Sequence, residues 1–332
     1  DGGILPIWEL SANYTGCMIG YHGVSVLADA HAKGIKGSDW NKALEAMKYS
    51  ANQKHLGLEA YHRKGFMEVQ DEPESVSKVL EYAYDDWCIA QLAKDLDDTT
   101  TYQDFIERGQ YYKNMFNPEV GFMQSKANGG WSVGFNPAEV NFNFTEANSW
   151  QYSMFVPQDI QGMIELYGGK EAFENKLDQL FTTEMELAGR HQADITGLIG
   201  QYAHGNEPSH HMAYLYNAIG KPYKTQEKVH QILTEQYQNA SDGLSGNEDC
   251  GQMSAWYVLS SMGFYSVTPG TDYYVIGTPH FKSSKINLEN GKYFAIKANG
   301  LTNQAIYIQS ATLNSVEFNS TKLSHQTIMQ GG

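Results

Sequence analysis

The spacing of the apolar residues restricts the fold of this chain more than any other feature. From about residue 16 to residue 262, apolar side chains recur three and four residues apart, in segments separated by short breakers. Clear stripes cover residues 76–90, 102–116 and 173–181. This period is typical of amphipathic helices, and short connections between helices favour antiparallel hairpins. The sequence therefore predicts a mainly α fold of stacked helical hairpins.

Glycine and proline residues mark where these helices begin and end. The pair Gly168 and Gly169 precedes the stripe at 173–181, as expected for a helix stop. Pro208 lies where a further helix would begin and Gly220 where it would end. Another apolar stripe at 229–237 predicts the next helix.

The pattern changes after Pro269. Three short runs rich in β-branched and aromatic residues, at 273–276, 293–296 and 306–309, are separated by Gly, Asn and Ser. Such runs predict strands. We therefore expect a helical domain over 1–268, and because the opening residues 1–6 read as the middle of a domain, we expect it to be incomplete on its N-terminal side. A β-rich C-terminal segment over 269–332 would form part of a small sandwich or sheet.

Charge and composition exclude several classes of partner. The chain has 23 basic and 38 acidic residues and a net charge of −15, which disfavours nucleic acid and anionic membrane surfaces. No apolar run reaches the ~18 residues of a membrane span, and no signal peptide is recognisable. Three widely spaced cysteines, Cys17, Cys88 and Cys250, indicate no disulfide framework, and buried free thiols are expected.

The first polar cluster surrounds Glu146, in residues 144–152. Phe144, Trp150 and Tyr152 flank this glutamate. Partial burial among aromatic rings raises the pKa of a carboxyl group, so Glu146 is a candidate general acid. The alternative is a glutamate in the first turn of a helix, where the helix dipole stabilises its charge.

The second cluster spans residues 204–211. Asn206 and Glu207 offer the hard oxygen ligands that calcium prefers. Several histidines in this segment suggest zinc, but the HExxH spacing is absent, which makes zinc the weaker interpretation. The alternative is structural: Asn206 would cap a helix that has Glu207 and Pro208 in its first turn.

The third cluster spans residues 246–256. Asp249 is followed three residues later by Gln252, the spacing of a capping box. A carboxylate held at a helix start is also suited to activate water as a general base. The residues alone leave both interpretations open.

The chain resembles glycoside hydrolase family 92, the calcium-dependent α-mannosidases. The resemblance extends through nearly the whole sequence and rests on several long motifs in the family's order. These motifs lie at residues 5–8, 16–22, 28–30, 80–87, 146–152, 205–211 and 246–258.

The resemblance implies an inverting exo-α-mannosidase with an N-terminal β-sandwich and an (α/α)6 barrel, and it implies that the helical domain over 1–268 is the catalytic domain. It implies Glu146 as general acid and Asp249 as general base, with carboxyl groups about 6.5–9.5 Å apart. Asn247 stands where many members carry a second acidic residue, and either its amide or the Glu248 carboxylate would assist the base. Asn206 and Glu207 fall in the family's Ca²⁺-binding region.

Further expectations follow from the same resemblance. His22, Trp150 and His210 are the expected substrate-binding residues. The expected substrate is a mannose-containing glycan, with α-1,2 as the expected linkage, and α-1,3, α-1,4 and α-1,6 linkages open. The substrate class implies secreted or periplasmic residence, and the site is expected to need the family's N-terminal β-sandwich. The alternatives are a non-catalytic mannoside-binding relative and a helical-barrel hydrolase or lyase acting on another sugar.

Overall fold

A computed structural model describes residues 3–11 and 13–331 of the chain. They form two compact units. The first unit comprises Asp1–Phe173, Thr183–Gln192 and Thr268–Thr271, and the second comprises Glu174–Thr182, Ala193–Val267 and Asp272–Gly332. The predicted division at 268/269 follows a different criterion, the change from helical to β-type pattern, and it stays a prediction.

The first unit is built mainly from helices around a central long one. Its helices are α1 Gly23–Ala32, α2 Trp40–Ala51, α3 Leu58–Lys64, α4 Ser75–Asp95, α5 Thr99–Arg108, α6 Ser149–Tyr152 and α7 Ile160–Leu166. Helix α4 contacts α1, α2 and α5 and is buried along most of its length. A helix enclosed by others is apolar on several faces. The helix predicted at 76–90 is thereby confirmed.

The stripe predicted at 102–116 forms two helical segments. Helix α5 ends at Arg108, and a 3₁₀ helix, Tyr111–Met115, follows it. The break falls at Gly109, where an added side chain would crowd Trp87 and the Ala83 carbonyl of α4. Close packing against α4 therefore divides the predicted segment.

Short strand pairs connect the helices of the first unit. They are β1 Glu9–Leu10 with β2 Asn13–Tyr14, β3 Phe116–Asn117 with β4 Phe122–Met123, β5 Lys126–Ala127 with β6 Gly130–Trp131, and β7 Glu139–Val140 with β8 Ala188–Gly189. The first three pairs are antiparallel, and β7 with β8 is parallel. These two-residue strand pairs stabilise the connections between helices and do not form an extended sheet.

Helix α8, Lys170–Thr182, begins directly after Gly168 and Gly169, as the sequence predicted. Both glycines have left-handed backbone, with φ of 91° and 107°. This conformation costs glycine little and ends α7 cleanly.

The second unit combines helices with a small antiparallel sheet. Its helices after α8 are α9 Pro222–Glu235, α10 Gln252–Met262 and α11 His325–Gln330, with 3₁₀ helices at Glu207–Ser209 and Met212–Ile219. The single helix predicted from Pro208 to Gly220 is therefore two 3₁₀ helices. Gly220, with φ of 78°, does end the second one.

The strands of the second unit lie mostly in its C-terminal part. They are β9 Leu198–Ile199, β10 Tyr202–Ala203, β11 Phe264–Tyr265, β12 Tyr273–Ile276, β13 Ser283–Asn287, β14 Tyr293–Lys297, β15 Thr312–Leu313, β16 Val316–Glu317 and β17 Lys322–Ser324. Strands β11, β12 and β17 form an antiparallel sheet in that order. Phe264, Phe294, Leu323 and Ile328 form its core. The strands predicted at 273–276 and 293–296 are confirmed.

The strand predicted at 306–309 is wrong. That run has no strand partner among the described residues, because other groups satisfy its backbone. The Ile306 carbonyl accepts from the Thr278 hydroxyl at 2.8 Å, and the Ile308 N–H donates to the Gln226 side chain at 3.0 Å. Side-chain hydrogen bonds thus replace a strand ladder.

All three cysteines are free, as expected. Only Cys88 is buried, whereas Cys17 and Cys250 are exposed, which corrects the expectation of burial for those two. Within the described residues, no helix is both long enough and apolar enough to cross a membrane.

Candidate functional site

Glu146 lies outside the helix that follows it. Asn148 is the N-cap of α6, and its side chain accepts from the backbone N–H groups of Trp150 and Gln151 at 3.0 and 3.4 Å. The Gln151 side chain accepts in return from the Asn148 N–H at 2.8 Å, completing a capping box. Glu146 precedes this cap by two residues, so the first-turn alternative is wrong.

The surroundings of Glu146 are compact. Its neighbours Thr145 and Ala147 are buried, and Glu146 itself is partly exposed. Trp150 packs edge-on against Phe122, with ring centroids 4.7 Å apart. The Thr145 N–H donates to the Ser77 hydroxyl at 2.9 Å, so contacts hold the segment on both sides of the glutamate.

Tyr152 connects the Glu146 segment to α4. Its hydroxyl donates to the Glu81 carboxylate at 2.6 Å. Burial raises the pKa of Tyr152 well above its ordinary value, and the negative charges of Glu81 and Glu146 raise it further. The phenol therefore stays protonated and keeps donating to Glu81.

His22 is held by two carboxylates of α4. Its Nδ1 lies 2.7 Å from Asp85 Oδ1, and its Nε2 lies 2.8 Å from Glu81 Oε2. Burial lowers the pKa of His22, but Asp85 and Glu81 raise it more, so the pKa lies well above its ordinary value. With both ring nitrogens bonded to carboxylates, His22 would contact a sugar through ring carbons, and its predicted substrate role stays a prediction.

In the second cluster, Asn206 occupies the N-cap position of the 3₁₀ helix Glu207–Ser209, but its side chain makes no capping hydrogen bond. The capping alternative for Asn206 is therefore wrong. Asn206 is buried, and Glu207 is partly exposed. The pair thus places an amide and a carboxylate side by side at the start of this short helix.

The neighbouring histidines are parts of a buried hydrogen-bond network. His204 bonds to the hydroxyls of Tyr202 and Tyr237 at 2.8 and 2.7 Å. His210 bonds to the His204 carbonyl at 2.9 Å and to the Gln252 amide at 3.1 Å. Burial lowers the pKa of His204 to about 2 and that of His210 to about 4.

These histidines are therefore neutral, and both ring nitrogens of each have protein partners. Across residues 3–11 and 13–331, no group of three His, Cys, Asp or Glu side chains is arranged to hold a metal ion. This disfavours the zinc interpretation. The predicted contact of His210 with substrate stays a prediction, and only the carbon atoms of its ring remain for it.

The third cluster forms an exposed left-handed turn ahead of α10. Asp249, Cys250 and Gly251 have φ values of 46°, 55° and 94°. Gly251 is the N-cap of α10, and it has no side chain with which to cap this helix start. Gln252, the expected capping partner of Asp249, donates instead to His210 and Tyr265. The capping-box alternative is therefore wrong.

Glu248 takes over part of the capping role. Its carboxylate accepts from the Ser254 N–H and from the Ser254 hydroxyl, both at 3.0 Å. This engagement leaves Glu248 poorly placed to assist a base at position 249. Asn247 donates to Asp194 Oδ1 at 3.2 Å, so a carboxylate does lie beside Asn247.

Sequence reasoning missed Asp194, Glu81 and Asp85. The signal for Glu81 and Asp85 was available, because two acidic residues four apart interrupt an otherwise apolar helical stripe. Asp194 gave no comparable signal, since it lies 53 positions from its partner Asn247.

Two glycines bring the second and third clusters together within the second unit. A side chain on Gly205 would collide with the Thr196 hydroxyl and lie 2.6 Å from the Ser245 carbonyl. A side chain on Gly246 would lie 2.9 Å from the Thr196 hydroxyl and 3.1 Å from the Gly205 carbonyl. The segments that carry Asn206 and Asp249 are therefore packed backbone to backbone. Glu146, Trp150 and His22 belong to the first unit.

Both candidate catalytic carboxylates have left-handed backbone. Glu146 has φ of 50° and Asp249 has φ of 46°. The left-handed region costs an L-residue roughly 1–2 kcal/mol, and Asp tolerates it better than Glu. Such strain concentrates at functional sites, where the surrounding structure enforces it.

Comparisons with known proteins identify the family of this chain. The profile of the glycosyl hydrolase family 92 catalytic domain matches residues 1–332. A solved family 92 α-mannosidase from Bacteroides thetaiotaomicron is 42% identical, with a TM-score of 0.93 over 99% of this chain and 44% of its own. A solved family 92 inverting mannosidase from B. thetaiotaomicron VPI-5482 is 38% identical, with a TM-score of 0.90 over 99% and 47%.

A curated relative from Arthroderma benhamiae, named an uncharacterized secreted glycosidase, is 27% identical over 351 residues. That match covers 92% of this chain and 43% of the relative. The chain thus belongs to glycosyl hydrolase family 92 and corresponds to less than half the length of these relatives.

Proposed function

We propose that the protein containing this chain is an exo-α-mannosidase that removes terminal α-linked mannose from glycans. The observation that carries this proposal is the 42% identity to a solved α-mannosidase across 99% of the chain. A second structure of that enzyme is a complex with mannoimidazole. The proposed linkage type is α-1,2.

In this proposal, Glu146 protonates the leaving oxygen and Asp249 activates water, with inversion at the sugar carbon. Glu146 is partly covered, beside a protonated Tyr152 phenol, which suits a group that must hold a proton. Asp249 is exposed and, within the described residues, its carboxylate has no hydrogen-bond partner. An exposed carboxylate of this kind is suited to accept a proton from water.

Asn247 and Asp194 would support the base. The Asn247 amide donates one proton to Asp194, which leaves its second N–H and its oxygen for water or for Asp249. Trp150, His22 and His210 are the proposed substrate-binding residues.

Ca²⁺ is the proposed cofactor, with Asn206 and Glu207 as its side-chain ligands. The chemical type of the two ligands suits calcium, because both side chains offer oxygen atoms and the Asn206 amide does not cap the helix. Two side chains are too few for the six to eight oxygen ligands of a calcium ion, so backbone carbonyls, water and sugar hydroxyls would supply the rest. Bound calcium would supply positive charge that orients sugar hydroxyls and stabilises a distorted ring.

The finer fold assignment is also a proposal. The helical hairpins would form part of an (α/α)6 barrel, with residues 269–332 as a β-rich segment, and the site would need the N-terminal β-sandwich of the family. The curated relative's name supports secretion, so we propose secreted or periplasmic residence.

Turnover of an α-mannobiose by the full-length natural protein tests this function. We expect activity that EDTA abolishes and calcium restores. Activity toward other glycosides alone, or mannoside binding without turnover in calcium, would contradict the proposal.

Glu207→Ala tests the calcium ligands. We expect calcium affinity, measured by calorimetry, to fall by about tenfold or more, because a charged ligand is lost. Glu235→Ala, at the end of α9, is the matched control. Wild-type calcium affinity in Glu207→Ala would remove this residue from the proposed shell.

A further inference from the structure

The second unit contains a cavity that includes none of the predicted site residues. Its volume is about 600 Å³, within the ~300–1,000 Å³ of typical small-molecule sites. It is lined by His230, Pro279, His280, Lys282, Leu301, Thr302, Asn303 and Gln304. These residues come from α9, from the segment before β13 and from the loop after β14.

Hydrogen bonds hold these three segments in place. The Thr278 hydroxyl donates to the Ile306 carbonyl at 2.8 Å, which ties the loop after β14 to the segment before β13. The Ile308 N–H donates to the Gln226 side chain of α9 at 3.0 Å. The His280 N–H donates to the Ser261 carbonyl at 2.9 Å. These hydrogen bonds fix the positions of the three segments that line the cavity.

The lining offers donors and positive charge. Lys282 contributes an ammonium group, Asn303 and Gln304 contribute amides, and His230 and His280 contribute imidazoles. Among the described lining residues there is no carboxylate. In a chain of net charge −15, a donor-rich cavity without acidic residues indicates a negatively charged ligand.

Thr302 illustrates how the lining is oriented. Its hydroxyl oxygen accepts from the backbone N–H groups of Gln304 and Ala305 at 3.3 and 3.0 Å. A hydroxyl has one proton and two lone pairs, so these bonds occupy its acceptor side. The hydroxyl proton is then left to donate.

The two imidazoles add a pH-dependent contribution. The ring centroids of His230 and His280 lie 6.2 Å apart. Burial lowers the pKa of each, and His230 also lowers the pKa of His280. Glu227, one turn away on α9, pairs with Lys228 at 3.6 Å, and the ring of Tyr257 faces His280 at 6.5 Å. Both imidazoles are therefore mainly neutral at pH 7 and gain charge as the pH falls.

We infer that this cavity binds a small oxyanion, a phosphate or a carboxylate, carried on a molecule of about monosaccharide size. Bare phosphate would leave much of the 600 Å³ unfilled, and Pro279 and Leu301 supply an apolar wall for the rest of the ligand. The inference is independent of the proposed mannosidase activity, because none of its residues takes part in the proposed catalysis.

Calorimetry on the full-length natural protein tests this site with four probes: inorganic phosphate, glucose 6-phosphate, D-glucuronate and neutral D-glucose. We expect the sugar anions to bind more tightly than phosphate, and glucose not to bind. If inorganic phosphate bound as tightly as the sugar anions, the inference of a sugar-sized ligand would be contradicted. No binding of any anion would overturn the proposal.

Lys282→Met locates the binding, with Lys285→Met as the matched control. Lys285 lies three residues away, over the ring of Tyr293, and its loss changes the net charge equally. We expect about a tenfold loss of anion affinity for Lys282→Met, as for one lost charge-assisted contact. The control should stay within twofold of the wild type. Equal losses in both variants would overturn the assignment.

D-Glucuronate also reports on the imidazoles, because its carboxylate stays ionised across the range tested. We expect its affinity to rise between pH 7.5 and pH 5.5, and His280→Gln to flatten that rise. An unchanged rise in this variant would exclude His280 from the site.

Discussion

The two candidate carboxylates lie in regions of contrasting construction. The Glu146 segment is enclosed: its neighbours are buried, a capping box orders the helix behind it, and Tyr152 anchors it to Glu81 of α4. The Asp249 segment is an exposed turn, followed by a helix whose N-cap residue, Gly251, has no side chain.

This contrast matches the different needs of an acid and a base. A general acid must keep a proton near neutral pH, which burial favours because it disfavours the charged form. A general base that activates water must stay ionised and accessible, which exposure favours. The shared feature is the left-handed backbone at Glu146 and Asp249, a strained conformation that concentrates at functional sites.

The largest expected effect is the loss of kcat on substitution of the proposed base, Asp249. Asp249→Asn keeps the size of the side chain and removes the proton acceptor, so we expect kcat to fall by up to ~10⁴-fold for any mannoside. Steady-state kinetics with mannobiose and with an aryl mannoside measures this loss. Asp242→Asn, on another exposed turn of the second unit, is the control, and Glu248→Gln should retain more activity than Asp249→Asn. Near-normal turnover in Asp249→Asn would assign the base elsewhere.

The loss on the acid should depend on the leaving group. Glu146→Gln is expected to lower turnover of mannobiose about 10³-fold, and turnover of an aryl mannoside with a good leaving group only about tenfold, because such a group needs little protonation. Glu139→Gln, on β7 of the same unit, controls for charge. Equal losses on both substrates would contradict the acid role.

The free energy of unfolding of the two units should also depend differently on pH. His204 and His210, with pKa values of about 2 and about 4, stay neutral in the folded second unit and protonate near pH 6.5 when unfolded. Protonation therefore favours unfolding below pH 6.5, by about 1 kcal/mol per histidine at pH 5.5.

In the first unit the contributions oppose each other. His62, with a pKa of about 4, acts as His204 does. His22, with its raised pKa, contributes stability that is present below pH 6.5 and lost as the pH rises through its folded value. Hydrogen exchange at pH 7.5 and 5.5 should therefore show faster opening mainly in the second unit, and equal acceleration in both would contradict this assignment.

The spacing of apolar residues and glycines predicted those helices and strands that depend mainly on residues close to one another in sequence. Helix α4, the Gly168–Gly169 stop and strand β12 all followed from spacing, since each depends on contacts along the chain or on one buried face. The run at 306–309 failed because its backbone bonds to Thr278 and Gln226, which lie far away in sequence.

The residues of the candidate site stay predictions, and their local geometry did not follow from the sequence. The sequence offered structural alternatives for all three residues, a first-turn position for Glu146 and caps for Asn206 and Asp249, and the structure supports none of them. At Glu146 and Asp249 a left-handed residue ahead of the helix changes which side chain reaches the free N–H groups, whereas Asn206 has extended backbone and occupies the N-cap position without a capping hydrogen bond. Sequence spacing does not show this, and it does not show the approach of Gly205 to Gly246.

The smallest expected effect tests whether the capping box matters to the acid beyond its contribution to stability. Asn148→Ala removes a cap and should lower the free energy of unfolding by about 1 kcal/mol. Asp98→Ala is the matched control, because Asp98 caps α5 of the same unit by accepting from the Thr101 N–H at 3.1 Å. Both variants should shift the denaturant midpoint similarly, but only Asn148→Ala should lower kcat for mannobiose, because only its cap adjoins Glu146. A matching loss of kcat in both variants would show that the cap contributes stability alone, and that the enclosure of Glu146 depends on Tyr152 and Glu81.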